Sequence, residues 1–163
     1  MKPSIPLLCL ALLATVADGA TVEVSTDGWT GCGNTNGWTF ASLGTNGTMT
    51  TESFIESPVL TNMTVFAADI RLKCSSAAPE RLLQVVFLRD SAAVCTNVIR
   101  NVFRPDRPET QHLEVDRSLR ANAVRLSLSG LGTDDWDILS VALTCAVAEP
   151  RPERKHGFRI TIS

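Results

Sequence analysis

Polar and apolar side chains alternate one by one along much of this chain. Phe66, Ala68, Ile70, Leu72 and Cys74 take one side of a nine-residue run, while Ala67, Asp69, Arg71 and Lys73 take the other. A period of two is the signature of a strand with one face buried and one wet. Val124, Leu126 and Leu128 repeat it against Arg125, Ser127 and Ser129, and so do Leu139, Val141, Leu143 and Cys145 within Trp136 to Cys145. Leu82 to Leu88 is almost continuously apolar, which predicts a central strand covered on both faces. Val94 to Phe103 is rich in β-branched residues but broken by Asn97, Arg100 and Asn101, and Gln111 to Arg117 predicts a half-exposed strand with Leu113 and Val115 inward. Turn-formers separate these runs at Gly44 to Gly47, Ser75 to Pro79, Arg89 to Ser91, Arg104 to Pro108 and Gly130 to Asp135. At most one helical turn is expected, around Arg117 to Val124. Roughly seven or eight antiparallel strands with little or no helix predict an all-β, two-sheet sandwich.

The two ends of the sequence depart from this pattern. Residues 1–20 carry one cation, Lys2, then an apolar run from Ile5 to Val16, then the small-residue stretch Ala17-Asp18-Gly19-Ala20. That is the layout of a secretory signal peptide cut after Gly19 or Ala20, and the run is short of the ~20 residues a bilayer span needs. No later segment is apolar and long enough to be a transmembrane helix. The sandwich domain is therefore assigned to 21–149. Residues 150–163 are charged and proline-containing, which predicts a tail, with Phe158 to Ile162 alternating like a short final strand.

Export changes how the cysteines are read. Five are present, and Cys9 would leave with the signal. Cys32, Cys74, Cys95 and Cys145 remain, and an even number in an exported chain predicts two disulfides of unassigned connectivity. Zinc is disfavoured because no CxxC pair exists and His112 and His156 stand apart from any cysteine cluster. The net charge of −2 lacks the cationic surplus that draws nucleic acid, so DNA and RNA are not expected as partners.

Catalytic patterns are missing as motifs. Ser57, Ser91 and Ser140 lack the Gly-x-Ser-x-Gly elbow, and a triad would have to use His112, which falls on the polar face of a half-exposed strand. Tryptophan is more suggestive. An indole face stacks on the C–H face of a pyranose, and Asn34, Asn36 and Asp27 lie close in sequence to Trp29 and Trp38. The competing role for Trp29, Trp38 and Trp136 is to fill the sandwich core. Asp134, Asp135 and Asp137 offer hard oxygen ligands for a structural calcium, against the plainer role of solvated loop charges; no cofactor is otherwise required. Asn46-Gly47-Thr48 and Asn62-Met63-Thr64 would accept N-glycans in a eukaryotic secretory pathway.

Gly28-Trp29-Thr30, Gly37-Trp38-Thr39-Phe40, Ile55 to Leu60, Ala123 to Leu128 and Trp136 to Val141 come in an order that resembles extracellular jelly-roll sandwiches. These include galactose-binding-like, carbohydrate-binding-module-like, MAM-like and choice-of-anchor J domains. The resemblance implies a jelly roll and a non-catalytic module that binds sugar or mediates attachment. Such families often carry an acid in the last strand tied to calcium, whereas Asp134, Asp135 and Asp137 stand just before that strand here. The expectation is a secreted or extracellular binding module (periplasmic or cell-surface in a bacterium), monomeric, with a glycan or an extracellular protein as partner. The alternatives are a structural or adhesion protein working through protein contacts and, third, a cryptic hydrolase.

Overall fold

The computed structural model describes residues 19–147. The expected leader, apart from Gly19 and Ala20, and residues 148–163, which include the expected tail from 150 with its short strand, lie outside the described residues. Eleven strands follow one another: β1 (Ala20–Ser25), β2 (Gly31–Thr35), β3 (Trp38–Leu43), β4 (Thr48–Met49), β5 (Phe54–Glu56), β6 (Met63–Cys74), β7 (Leu82–Arg89), β8 (Ala92–Ile99), β9 (Glu109–Glu114), β10 (Ala123–Ser129) and β11 (Trp136–Val147). They form two antiparallel sheets. Sheet I has the order β1-β11-β6-β9 with β4 added against β11, and sheet II has the order β2-β3-β5-β10-β7-β8.

With β2, β3 and β4 set aside, eight strands are left, and their order is 1-8-3-6 in one sheet and 2-7-4-5 in the other. The chain crosses between sheets at nearly every connection, which is the jelly-roll arrangement of two interlocked Greek keys. The runs of period two at 66–74, 124–128 and 136–145 are β6, β10 and β11. Helix is confined to short 3-10 turns, at Thr45–Gly47 and at Arg117–Leu119, the second capped by the Asp116 carboxylate accepting from the Ser118 N–H at 2.8 Å.

Inward residues of both sheets meet in one core. Val65, Ile70, Leu72, Leu83, Val85, Phe87, Leu126, Ile138 and Leu143 are all buried within it. Two expectations about strands are corrected. β7 is not covered evenly on both faces: Leu83, Val85, Phe87 and Leu88 are buried while Leu82, Gln84 and Val86 are only half-buried. The strand expected from Val94 to Phe103 ends at Ile99, where the Val102 N–H turns away to the Ala77 carbonyl at 3.1 Å.

The disulfide expectation is also corrected. Cys32, Cys74, Cys95 and Cys145 are free thiols. Cys74 and Cys145 both point into the core from neighbouring strands, but Cys74 stands opposite Trp136 and Cys145 opposite Val65, at opposite ends of the ladder. At about 3.3 Å per residue that is roughly 30 Å, far beyond the ~6 Å Cα separation of a disulfide. Cys32 and Cys95 occupy the two opposite edge strands of sheet II. Register, which cysteine spacing does not reveal, keeps them apart.

Burial pushes the Cys145 thiol up to about 11 and also raises that of Cys74, so neither is a ready nucleophile at neutral pH. Alkylation of the native protein should label exposed Cys32 first, half-buried Cys95 more slowly, and Cys74 and Cys145 only on unfolding. In denaturant without reductant, peptide mass spectrometry should find all four labelled; a pair that labels only after reduction would restore a disulfide.

Candidate functional site

The start of β11 is where three parts of the chain meet on the outer side of sheet I. β4 pairs with it, setting Met49 opposite Trp136 and Thr48 opposite Asp137, and β6 pairs on the other side, setting Lys73 opposite Asp137. β4 is brought there by a tight turn. Asn46 and Gly47 both adopt positive φ (55° and 79°), and a side chain at Gly47 would put its Cβ 2.7 Å from the Ile138 carbonyl and 2.8 Å from the Thr26 hydroxyl. Only glycine fits both the backbone angle and the space. The buried Thr26 donates its hydroxyl to the Ile138 carbonyl, and its N–H bonds the Leu139 carbonyl at 3.0 Å, strapping the β1–β2 loop to β11. A register shift between Ile138 and Ser140 leaves Leu139 as the extra residue, so its side chain also borders this region.

The result is a two-lobed polar cleft. One lobe, of about 570 Å3, is lined by Asp27, Thr45, Asn46, Thr48, Lys73, Asp137 and Leu139. The second, of about 290 Å3, shares Thr48, Lys73 and Asp137 and adds Ser75, Asp106 and Asp135. At the junction the Lys73 ammonium lies 3.1 Å from Asp137 Oδ2, and the Thr48 hydroxyl lies 2.6 Å from Asp137 Oδ1 and 2.8 Å from the Thr45 carbonyl. One hydroxyl proton serves one strong acceptor, and the carboxylate takes it. The hydrogen bond and charge of Asp137 hold the Lys73 pKa above its ordinary value, so this side chain stays cationic. Four carboxylates (Asp27, Asp106, Asp135, Asp137) face one ammonium. That balance repels anions, and its carboxylates, hydroxyls and ammonium can pair with the hydroxyl groups of a ligand.

The residues singled out from the sequence are placed unequally. Asp135 and Asp137 line the cleft, and Asp27 and Asn46 border it. Asp134 does not join them: its carboxylate accepts the backbone N–H groups of Glu80 (2.7 Å) and Arg81 (3.3 Å), latching two loops together. Asp134 therefore stands apart from the other two, and no group of three or more His, Cys, Asp or Glu side chains able to hold a metal occurs among the described residues. Asp137 is the second residue of β11, inside the strand expected from Trp136 to Cys145, with both oxygens engaged.

The tryptophan platform is corrected. Trp29 is 7% exposed and stacked on Phe40 with centroids 4.4 Å apart, Trp38 is 1% exposed, and Trp136 is fully buried with its indole N–H donated to the Arg81 carbonyl at 2.8 Å. Large rings fill the core here, leaving no indole face for a sugar. Asn34 and Asn36 are exposed on the β2–β3 hairpin of sheet II, where Asn34 bonds the Thr39 hydroxyl at 3.1 Å, and they do not reach the cleft. Lys73, Thr48, Ser75 and Asp106 were not singled out from the sequence. Lys73 and Asp137 do fall on the polar sides of their strands, but only the β6–β11 register shows that they meet.

His112 is a surface residue, as expected from its strand face. Its Nδ1 lies 2.6 Å from Asp69 Oδ1 and its Nε2 3.4 Å from Glu114 Oε1, so carboxylates face both ring nitrogens and neither is turned to a serine. These partners, Asp69 foremost, raise its pKa above 6.5. A raised value means that the pairing stabilises the fold fully below about pH 6.5 and ceases to do so as pH climbs through the folded-state pKa. NMR titration should place His112 above 6.5, and Asp69→Asn should bring it down. The melting-temperature gap between wild type and Asp69→Asn should be widest near pH ~5.5, where His is charged in both states, and close in alkali; a gap that widens with pH would contradict this pairing.

No helix among the described residues is long and apolar enough to cross a membrane. No protein-family model matches the chain, and no curated protein matches it. Among solved structures the chain is similar to the carbohydrate-binding module CBM36 in complex with calcium and xylotriose. The TM-score is 0.45 and the identity 15%, over 74% of this chain and 97% of that one. It is also similar to a family two carbohydrate esterase from Cellvibrio japonicus (TM-score 0.40, 9% identity, 83% of this chain and 38% of that one). A third likeness is to the infectious bursal disease virus Gx strain (TM-score 0.40, 12% identity, 93% of this chain and 39% of that one).

Proposed function

We propose that this chain is an exported, non-catalytic binding module whose ligand is a neutral carbohydrate, held in the cleft where β4, β6 and β11 meet. The observation that carries this reading is the lining itself: hydroxyls of Thr45, Thr48 and Ser75, the Asn46 amide, four carboxylates and the Lys73 ammonium around one shallow depression. Carboxylates accept from sugar hydroxyls, and an ammonium with three N–H groups donates to a second hydroxyl while keeping Asp137. Binding is by hydrogen bonds without indole stacking, since the tryptophans are in the core. Each contact replaces one to water and yields a small net gain, so affinity for a single sugar is modest. Export rests on the leader-like residues 1–20.

Titration calorimetry against a panel of neutral oligosaccharides, chosen from glycan-array hits, tests the assignment. Lys73→Met and Asp135→Asn should each weaken binding by about tenfold, the loss expected when a charged hydrogen-bonding partner worth about 1.5 kcal/mol is removed. The circular dichroism of the fold should be unchanged. A protein that binds no neutral glycan, or one whose binding survives both substitutions, would refute the cleft as the site.

A further inference from the structure

The four outer strands of the two sheets are not alike. β1 carries Glu23 on its exposed side, β9 carries Glu109, His112 and Glu114, and β2 is five residues long with two glycines and a register shift. Charge, shortness and irregularity are the devices that keep an edge from pairing with another chain. β8 is different: eight residues, Ala92-Ala93-Val94-Cys95-Thr96-Asn97-Val98-Ile99, with no charge, no proline and no glycine. Its single irregularity is at Val94, where the register against β7 shifts; from Cys95 to Ile99 the ladder is regular. Among the described residues only β7 pairs with it.

We propose that this edge is where two copies of the chain join, β8 against β8, in a twofold dimer with one continuous sheet running through both molecules. Symmetry fixes the register. A twofold axis normal to the sheet keeps inward side chains inward, so residues placed opposite each other must be an even number of positions apart. Cys95, Asn97 and Ile99 point inward, because they pair with the core residues Phe87, Val85 and Leu83. Centring the regular stretch puts Asn97 opposite Asn97, Thr96 opposite Val98 and Cys95 opposite Ile99.

A second copy suits this edge because an uncharged strand meets no like charge when paired with itself, whereas β9 would set carboxylates against carboxylates. Five residues per copy bury far less than the ~1,600 Å2 of a standard interface, so the dimer is weak and depends on concentration. The proposed dimer departs from the monomer expected from the sequence.

Analytical ultracentrifugation should show the mass rising from one chain toward two between micromolar and millimolar protein. Over the same range, hydrogen exchange at 95–99 should slow. The double variant Thr96→Lys/Val98→Lys alters only outward positions and sets ammonium groups directly opposite each other across the axis. It should weaken dimerisation by at least about tenfold, with the melting temperature little changed.

Three outcomes would overturn the proposal. One is a single-chain mass throughout. Another is a dimer that the double variant leaves intact and that does not protect 95–99. The third is slow exchange at 95–99 at every concentration that becomes fast on deleting residues 148–163, which would show the edge covered by the chain's own C-terminal segment.

Discussion

β6 and β11 are the two longest strands, twelve residues each, and they run side by side at the centre of sheet I. β6 comes from the middle of the described chain and β11 from its end, so their pairing closes the sandwich over a long sequence distance. Every other relation in sheet I hangs on this ladder: β1 and β4 add to the far side of β11, and β9 to the far side of β6. Side chains alternate with a period of two, so slipping β6 by one residue against β11 would turn Ile70 and Leu72 to water and drive Lys73 into the core, away from Asp137. Burial of the apolar set therefore holds the polar pair in place. The cleft is a consequence of the core.

One bulge adjusts that ladder where the cleft opens. The extra residue at Leu139 bends the start of β11, and the Thr26 hydroxyl and N–H bond the carbonyls of Ile138 and Leu139 at the bend. The same neighbourhood admits only a glycine at 47, whose N–H bonds the Trp29 carbonyl at 3.0 Å. Trp29, stacked on Phe40 in the core, thus anchors the turn that presents Thr45, Asn46 and Thr48. The tryptophan supports the cleft from behind.

How far this was legible in the sequence follows from which features are local. Alternation over 66–74 and 136–145 is local, and it placed β6 and β11 and most of their buried faces; Phe66 and Leu139, expected inward, are the extra residues at the two register shifts and only half-buried. The jelly-roll order agreed with a resemblance carried by core patterning. The first third of the chain, from β1 to β5, is made of strands of two to six residues among glycines, asparagines and threonines, too short for a period to declare itself. There the large rings stood out, and without a core to compare against they read as a platform. Cysteine pairing failed for a different reason: an even count speaks to compartment, while bonding needs registers that place two sulfurs together, and Cys74 and Cys145 sit at opposite ends of one ladder. The cleft was half visible. Asp135 and Asp137 were marked as acids with a purpose, but calcium was the chemistry attached to them, because the cation that answers Asp137 is sixty-four positions earlier on a strand whose neighbour was unknown.

The two proposals combine through geometry. Joining through β8 extends sheet II and leaves sheet I of both copies on the same side, since a twofold axis normal to the sheet does not exchange its faces. Both clefts, which open on the outer side of sheet I, would then face a common direction. A shallow site held by hydrogen bonds gains little from one sugar unit, but two sites looking the same way can engage one repeating polymer, and the second contact is then made at an effective concentration that is often millimolar. Weak dimerisation and weak single-site binding would reinforce each other, because a polymer that bridges both clefts also holds the two chains together.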